Sequence, residues 1–151
     1  MNLEVLMGSG RKIGVFSLPF FVIGIAINYL YPQFFWIDGY SNPLFWISIS
    51  FLLLGMINWV WTVLLILIKV PRKELITTGP YAIVKHPLYL GFAILVIPWV
   101  GSLLNSWLGI ILGLVVYVAT RIYAPNEEQI LSKIFGNDWD KYTKKVILPW
   151  I

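Results

Sequence analysis

The sequence has no cysteine, a single histidine and few charges, and each shortage excludes a class of function. Without cysteine there is no disulfide, no thiolate nucleophile and no Cys-ligated zinc or iron–sulfur site. The lone His86 cannot build a multi-histidine metal site, so we expect no metal. Charged residues make up 12% of the 151 residues, against about 25% in soluble domains, and 59% are hydrophobic. With a mean hydropathy of +0.81, this composition is typical of an integral membrane protein.

Four long apolar runs are separated by polar segments and predict an all-α membrane fold. Only Asn105 and Ser106 divide the last two runs, which indicates a tight helical hairpin. The chain is therefore predicted to form a single membrane domain over residues 1–151, with short amphipathic helices in its C-terminal tail. The predicted transmembrane helices cover residues 13–31, 43–68, 87–104 and 107–123.

The distribution of Lys and Arg predicts the orientation of these helices. All eleven basic residues precede the first span, lie between the second and third, or follow or end the fourth. A four-span protein therefore holds every one of them on one side, and the positive-inside rule makes that side cytoplasmic, with both termini. This explains the net charge of +4 without nucleic-acid binding. No ionisable residue lies mid-span, which argues against a channel or transporter.

Two polar segments on the basic side, residues 71–89 and 121–151, carry the candidate chemistry. In the first, Gly79-Pro80 predicts a turn. His86 precedes Pro87, which favours an extended backbone at His86 and the first helical position for Pro87. The sequence therefore predicts His86 at the mouth of the third span, with Tyr89 near the same face.

The second segment predicts two short helices. Asn126 is a candidate N-cap, with Glu127 and Glu128 in the first turn, where the helix dipole favours anions. Gly136 is the predicted stop. A further helix from Asp138 presents Trp139, Tyr142 and Val146 on one face, so the tail is predicted to lie against the membrane or to cap the bundle.

Each candidate residue also has a purely structural interpretation. His86 fits an interfacial polar residue, and the acidic pair fits helix-dipole partners. Tyr81 and Tyr89 fit interface aromatics, and Arg121 fits a positive-inside anchor. Taken singly, therefore, no residue establishes an enzyme.

Together, two stretches resemble the isoprenylcysteine carboxyl methyltransferase family and related phospholipid methyltransferase-like membrane proteins. The first is LITTGPYAIVKHPLYLG at residues 75–91, and the second is EEQILSKIFGNDWDKY at residues 127–142. The resemblance covers residues 75–151, whereas the first two spans match only as generic helices. It implies an S-adenosylmethionine-dependent membrane methyltransferase whose cofactor is bound at the cytoplasmic face by these two segments.

The resemblance also implies which residues contact the cofactor. They come from the stretch before the turn, the Tyr of Gly-x-Tyr, the His-Pro-x-Tyr stretch and one Glu of the acidic pair. Carboxylate, imidazole and aromatic groups suit the ribose, ammonium, carboxylate, sulfonium and adenine of this cofactor. In this sequence they are Lys73, Glu74, Leu75, Ile76, Tyr81, His86, Pro87, Leu88, Tyr89 and the pair Glu127 and Glu128, of which alignment on Phe135-Gly136 favours Glu127.

One departure from the family pattern concerns the acceptor. The prenylcysteine enzymes place an Arg one helical turn before the cofactor Glu, where it meets the substrate carboxylate. Here that position is Tyr123, and Arg121 lies two residues earlier, so both are candidates for the substrate side. The resemblance implies a lipophilic acceptor that enters from the bilayer, either a prenylcysteine-like carboxylate or a lipid headgroup.

Two other functions stay open at this point. NADPH-dependent sterol or enone reductases of membranes have a similar His-Pro-x-Tyr and C-terminal pattern, although they are usually longer, with more spans. A non-catalytic membrane scaffold with vestigial motifs is the other alternative.

Overall fold

The computed structural model describes residues 3–37 and 41–148, with side chains from residue 9 onward, and this part of the chain is almost entirely helical. A π-helical segment, Phe92–Val96, joins α4 to α5, and a 3₁₀ turn, Pro32–Phe34, follows α1. Within the described ranges, β pairing is limited to two isolated bridges. The helices are α1 (Leu3–Leu30), α2 (Asn42–Lys69), α3 (Pro80–Ile83), α4 (Pro87–Gly91), α5 (Ile97–Leu103), α6 (Leu108–Phe135) and α7 (Asn137–Lys145).

Three helical stretches are long and apolar enough to cross a membrane, namely Ser9–Leu30, Asn42–Lys69 and Leu108–Phe135. Most large apolar side chains of α1 and α2 are exposed, as expected where lipid is the solvent. For the described residues, the prediction of an all-helical fold with helices long and apolar enough to span a membrane is confirmed. The third predicted span is the shorter apolar helix Pro87–Leu103, so length and composition alone do not establish four crossings.

The helix Pro87–Leu103 packs antiparallel to α2. Gly55 of α2 meets Leu95, and further along Ser48 Oγ donates to Ser102 Oγ at 2.8 Å. The turn after this helix then contacts the segment that follows α1, because Trp107 N donates to Phe35 O at 2.8 Å. We call this end of the bundle, residues 31–37 and 104–107, the loop end. The opposite end, formed by residues 70–89, the last turns of α2 and α6, and α7, is the polar end.

Glycines bring the helix Pro87–Leu103 and α6 into direct backbone contact. A Cβ at Gly109 would lie 2.6 Å from the Cα of Gly101, and one at Gly113 would lie 2.5 Å from the carbonyl oxygen of Ala93. Only glycine permits such an approach, which is a common way to pack helices in membranes. Asn105 and Ser106 lie in the short turn between the two helices.

α1 packs along α6 and completes the bundle. At the polar end Ser9 Oγ donates to Tyr123 O at 3.3 Å, and at the loop end Ser106 Oγ donates to Asn28 Oδ1 at 2.8 Å. Ile13 belongs to the buried apolar cluster that α6 and Pro87–Leu103 also form. α1 therefore runs antiparallel to α6 and brings its first turns to the polar end.

The structure corrects one prediction in α6. Asn126 was predicted to cap a new helix after the fourth span, but α6 continues through Pro125 to Phe135. Proline removes one helical hydrogen bond, yet Ala124 and Glu127 on either side of it are both buried, and this packing holds the helix together. Glu127 and Glu128 therefore do not lie in a first helical turn, and the helix dipole does not explain them.

Candidate active site

A cavity of about 270 Å³ lies at the polar end. Its wall is mainly apolar with a few polar groups, which is typical of a small-molecule site. The lining residues are Val63, Ile66 and Leu67 of α2, Val70, Glu74, Leu75, Ile76, Tyr81, Lys85, His86, Leu88 and Tyr89 of the segment after α2, Glu127, Leu131 and Phe135 of α6, and Trp139 and Tyr142 of α7.

The turn at Gly79 and the start of α4 place the aromatic residues in this wall. Gly79 adopts φ +64°, a conformation that favours glycine, and its backbone packs against Trp61. His86 has φ −125° and ψ 60°, and Pro87 follows it in the first turn of α4. The ring of His86 is buried and stacks on Tyr89, with ring centroids 6.1 Å apart.

Glu128 binds the two residues that precede α4. Its carboxylate lies 2.7 Å from Lys85 Nζ and 3.1 Å from His86 Nε2. These contacts neutralise the half-buried lysine and orient the imidazole ring. His86 lines the cavity but Glu128 does not. Glu128 therefore binds the imidazole ring from outside the cavity.

Glu127 points into the cavity instead, because consecutive helical residues lie about 100° apart around the axis. Its side chain is buried, and its carboxylate interacts with Ser9, Tyr89 and His86. No described residue donates a hydrogen bond to its Oε2 atom. A buried carboxylate oxygen without a donor is costly, so this atom points to a ligand that carries a hydroxyl or ammonium group.

The tail closes the cavity and is tied to α3. Tyr142 Oη donates to Tyr81 O at 2.8 Å, and the backbone of Leu148 donates to Ile83 O at 2.9 Å. Trp139 packs against Tyr142, with ring centroids 5.4 Å apart. Burial raises the pKa of both the Tyr81 and the Tyr142 phenols, so both groups stay protonated at neutral pH.

Glu74 occupies the edge of the cavity and is paired with the end of α2. Its carboxylate forms an ion pair with Lys69. The hydrogen bond from Lys69 holds the pKa of Glu74 below its ordinary value, so the carboxylate is charged at neutral pH.

The structure brings most of the sequence-predicted cofactor residues together. Pro87 adjoins the wall, and its carbonyl accepts from Asn58 Nδ2 at 3.0 Å. Lys73 is exposed in a turn with φ +56°, and neither it nor Glu128 lines the cavity. Eight of the predicted residues do line it: Glu74, Leu75, Ile76, Tyr81, His86, Leu88, Tyr89 and Glu127.

The two residues predicted for the acceptor side lie away from this cavity. Arg121 is exposed. Tyr123 packs edge-on against Phe16 of α1, with ring centroids 6.0 Å apart. Neither residue lines the cavity, so the structure does not bring the predicted acceptor residues together with the predicted cofactor residues.

Several wall residues were not predicted from the sequence. The position of Lys85 beside His86 was a usable signal for the contact with Glu128. The apolar wall from α2, by contrast, carries no signal, because Val63 and Ile66 look like any lipid-facing residues. Ser9 of α1 gave no signal either, since its contact with the site depends on how α1 packs against α6. In the part of the chain that the structure describes, no three His, Asp or Glu side chains lie together as a metal site would require.

A second cavity, of about 420 Å³, lies closer to the loop end than the first. Leu88 and Tyr89 line both cavities and separate them. We call this second cavity the groove. Its other lining residues are Gly10, Ile13, Gly14, Ser17, Leu18, Phe21, Trp59, Phe92 and Val116, and nearly all of them are apolar or small.

Comparison with known families gives this geometry a context. Residues 41–138 match the family model described as phospholipid methyltransferase, which is more than half of the chain. The chain belongs to this methyltransferase family. The matched segment runs from the start of α2 into α7, and so contains every cavity residue from α2, α4 and α6, whereas α1 precedes it. The resemblance noted in the sequence is therefore confirmed.

A curated relative supports the same assignment. Protein-S-isoprenylcysteine O-methyltransferase B of Arabidopsis thaliana is 38% identical over 85 residues. The match covers 53% of this chain and 42% of the relative, so the chain spans less than half of the relative's length. No solved structure gave a significant match.

Proposed function

We propose that this protein is an S-adenosylmethionine-dependent membrane methyltransferase that acts on a lipophilic acceptor at the polar end. The observation that carries the proposal is Glu127, a buried carboxylate of which one oxygen accepts no hydrogen bond from a described residue. It faces a cavity whose wall also holds Tyr81, His86 and Tyr89. The chain belongs to a methyltransferase family, and a relative is named as an O-methyltransferase.

The cavity residues fit this cofactor chemically. Glu127 can accept hydrogen bonds from hydroxyl or ammonium groups, and its Oε2 atom has no donor among the described residues. A hydroxyl or ammonium group of the cofactor would supply this donor. His86, oriented by Glu128, is a hydrogen-bond partner for a carboxylate. The rings of Tyr81, Tyr89 and Trp139 provide faces for a sulfonium or an adenine. When bound, S-adenosylmethionine supplies the methyl group.

The chain contributes positioning and exclusion of water. Methyl transfer to a carboxylate oxygen needs no strong base, but it needs the reacting atoms aligned in a dry site. Trp139 and Tyr142 cover the cavity from the tail, and α2 closes it with aliphatic side chains. Tyr89 lies between this cavity and the groove, so it is the residue across which cofactor and acceptor would meet.

The groove gives a lipophilic acceptor an apolar path from the bilayer to Tyr89. We propose that the headgroup or carboxylate of the acceptor is recognised near Arg121 or Tyr123, which lie near the middle of α6. An always-charged guanidinium at the membrane boundary suits an anionic acceptor group. A reductase is not favoured, because the family that matches is one of methyltransferases.

We also propose four membrane crossings with the polar end and both termini in the cytoplasm. The helix Pro87–Leu103 supports this count, because it runs from the polar end to the loop end, where Trp107 N donates to Phe35 O at 2.8 Å. At 1.5 Å per residue it is roughly 25 Å long, enough for a thin or locally thinned bilayer. The segregation of all eleven basic residues supports the orientation.

The proposal is tested by calorimetric titration of detergent-purified protein with three compounds. S-adenosylmethionine and its demethylated product should bind saturably at one site per chain, whereas NADPH should not bind. Methyl transfer is then assayed over prenylcysteine, phosphatidylethanolamine and fatty-acid acceptors. Binding of NADPH without binding of S-adenosylmethionine would overturn the methyltransferase assignment in favour of a reductase, and binding of none of the three would favour a scaffold.

A further inference from the structure

α1 reaches the candidate cofactor site although it lies outside the family-matched segment. Ser9 is buried at the polar end, where its hydroxyl lies between Tyr123 O, at 3.3 Å, and the carboxylate of Glu127, so its single proton is available to either acceptor. The next residue, Gly10, lies against the side chain of Tyr89. One dipeptide of α1 therefore contacts both the acidic and the aromatic residue on which the proposed cofactor site depends.

The contact between Gly10 and Tyr89 is tight. A Cβ at this position would lie 3.2 Å from Tyr89 Oη, closer than most Cβ contacts, and 3.4 Å from its Cε1 atom, so the ring would have to move by a few tenths of an ångström to accept it. Glycine inside a helix destabilises it by roughly 0.5–1 kcal/mol relative to alanine, so the absence of a side chain here has a cost. The missing side chain at Gly10 leaves space for the ring of Tyr89 in the position that it occupies in the cavity wall.

We propose that Ser9 and Gly10 are positioning residues of the cofactor site. Gly10 fixes how far the Tyr89 ring sits from the cavity, and Ser9 orients the Glu127 carboxylate so that its second oxygen faces the ligand. This inference rests on the proposed function, because it assigns α1 a role in binding S-adenosylmethionine. The first helix is then a part of the active site, and not only a membrane anchor.

α1 contains a matched control for each of the two residues. Gly14 lies one helical turn after Gly10, and a Cβ there would meet nothing within 4 Å. Ser17 is buried like Ser9, but its hydroxyl has no hydrogen-bond partner among the described residues. Both control residues line the groove, where the acceptor is proposed to bind, so the comparison is made on cofactor affinity and not on turnover.

The first experiment compares Gly10→Ala with Gly14→Ala. Affinity for S-adenosylmethionine and for its demethylated product is measured by calorimetry, and thermal unfolding is recorded in the same detergent. Both variants gain helix propensity, but only Gly10→Ala pushes against Tyr89, so we expect its affinity to fall by about fivefold or more, and that of Gly14→Ala to stay within about twofold. In a Tyr89→Phe background, which lacks the nearest atom, the Gly10→Ala change should lose most of its effect.

The second experiment compares Ser9→Ala with Ser17→Ala and adds no volume to the helix, so it stands even if Gly10→Ala does not fold. We expect Ser9→Ala to weaken cofactor binding by about threefold or more, with Ser17→Ala unchanged. Equal affinities within both pairs, in protein that binds the cofactor, would overturn this inference and leave the proposed function intact. Wild-type protein that binds neither compound would overturn the proposed function, and this inference with it.

Discussion

At the scale of single residues, two adjacent carboxylates have different surroundings. Glu127 faces the cavity and is buried, whereas Glu128 faces outward and binds Lys85 and His86. The family resemblance favoured Glu127 for the cofactor, but residue type and spacing show only an acidic pair, and the distinction arises because neighbouring residues of α6 point about 100° apart. Which of the two faces the cavity depends on the rotation of α6 against α4, and this is set by tertiary packing.

The first prediction concerns Glu127. Replacing Glu127 by Gln keeps the shape of the side chain but removes its charge, so a charge-assisted hydrogen bond to the cofactor is lost. We expect binding of S-adenosylmethionine to weaken by roughly 1.5–3 kcal/mol, that is by more than tenfold. Calorimetric titration measures the effect, with Asp140→Asn, an exposed acidic residue of α7, as the control. Unchanged affinity in a folded Glu127→Gln variant would show that the cofactor does not contact this residue.

A second prediction separates the cofactor side from the acceptor side. His86 lines the cavity and Arg121 does not, so the two variants should fail differently. His86→Ala should weaken cofactor binding by about tenfold, because it removes a hydrogen-bond partner of the ligand. Arg121→Ala should leave cofactor affinity nearly intact and lower turnover at low concentrations of an anionic acceptor.

Cofactor titration and methyl-transfer assays on both variants check this prediction. Equal loss of cofactor affinity in the two would place Arg121 in the cofactor site or in the support of the fold. Full activity of Arg121→Ala on every acceptor would leave the arginine as a topology anchor, and Tyr123 would become the better candidate for the acceptor side.

At the scale of secondary structure elements, the sequence predicts the start of α4 better than the course of α6. Pro87 restricts the backbone on both of its sides, so local chemistry alone places His86 at the mouth of a helix. Pro125 carries the same kind of local signal, yet α6 passes through it, because the residues around it are buried against α1. Local sequence rules therefore predicted a helix boundary near Pro125, but tertiary packing keeps α6 continuous there.

α7 shows the opposite case. Its sequence pattern predicts an apolar face correctly, but only the fold shows which surface this face covers. Its apolar face, with Trp139 and Tyr142, was predicted to lie against the membrane or the bundle. In the structure this face covers the cavity and packs against Leu75, Leu131 and Phe135. The amphipathic spacing is visible in the sequence, but the identity of the covered surface is not.

The third prediction tests how firmly α7 is held. Tyr142→Phe removes the hydrogen bond from Tyr142 Oη to Tyr81 O, which is 2.8 Å long in the wild type. A bond of this kind contributes about 1 kcal/mol, so we expect the backbone amides of residues 137–148 to exchange roughly fivefold faster. Hydrogen exchange read by mass spectrometry measures this.

The control for this prediction lies in the same helix. Thr143 Oγ1 donates to Asp140 O at 3.1 Å, in an exposed position, so Thr143→Ala removes a bond that does not hold α7 to the cavity. It should leave the exchange rates of α7 nearly unchanged. Equal acceleration in both variants would mean that the tyrosine contact does not fasten the tail.

At the scale of the whole molecule, the two ends of the bundle differ sharply in charge. The polar end holds the cavity, the ion pairs and the tail, whereas the loop end is tied together by Ser106, Asn28 and backbone hydrogen bonds. The basic residues of the sequence predict this polarity directly. The number of crossings is less predictable, because the third apolar helix is short and contains a π-helical segment before Pro98.

The last prediction uses the absence of cysteine to settle the topology. Because the wild-type chain has none, each introduced cysteine is the only target for a membrane-impermeant maleimide. Gln33 and Leu104 are exposed at the loop end, and Thr77 and Lys144 are exposed at the polar end. We expect Gln33→Cys and Leu104→Cys to be labelled in intact cells, and Thr77→Cys and Lys144→Cys only after permeabilisation.

The Leu104 position decides the number of crossings. If Leu104→Cys, like Thr77→Cys, is labelled only after permeabilisation, the helix Pro87–Leu103 does not cross the bilayer, and its antiparallel packing on α2 would have to be accommodated within one leaflet. Labelling of all four sites in the reverse order would keep four crossings and invert the orientation, which would place the cavity outside the cytoplasm, away from the compartment that contains S-adenosylmethionine.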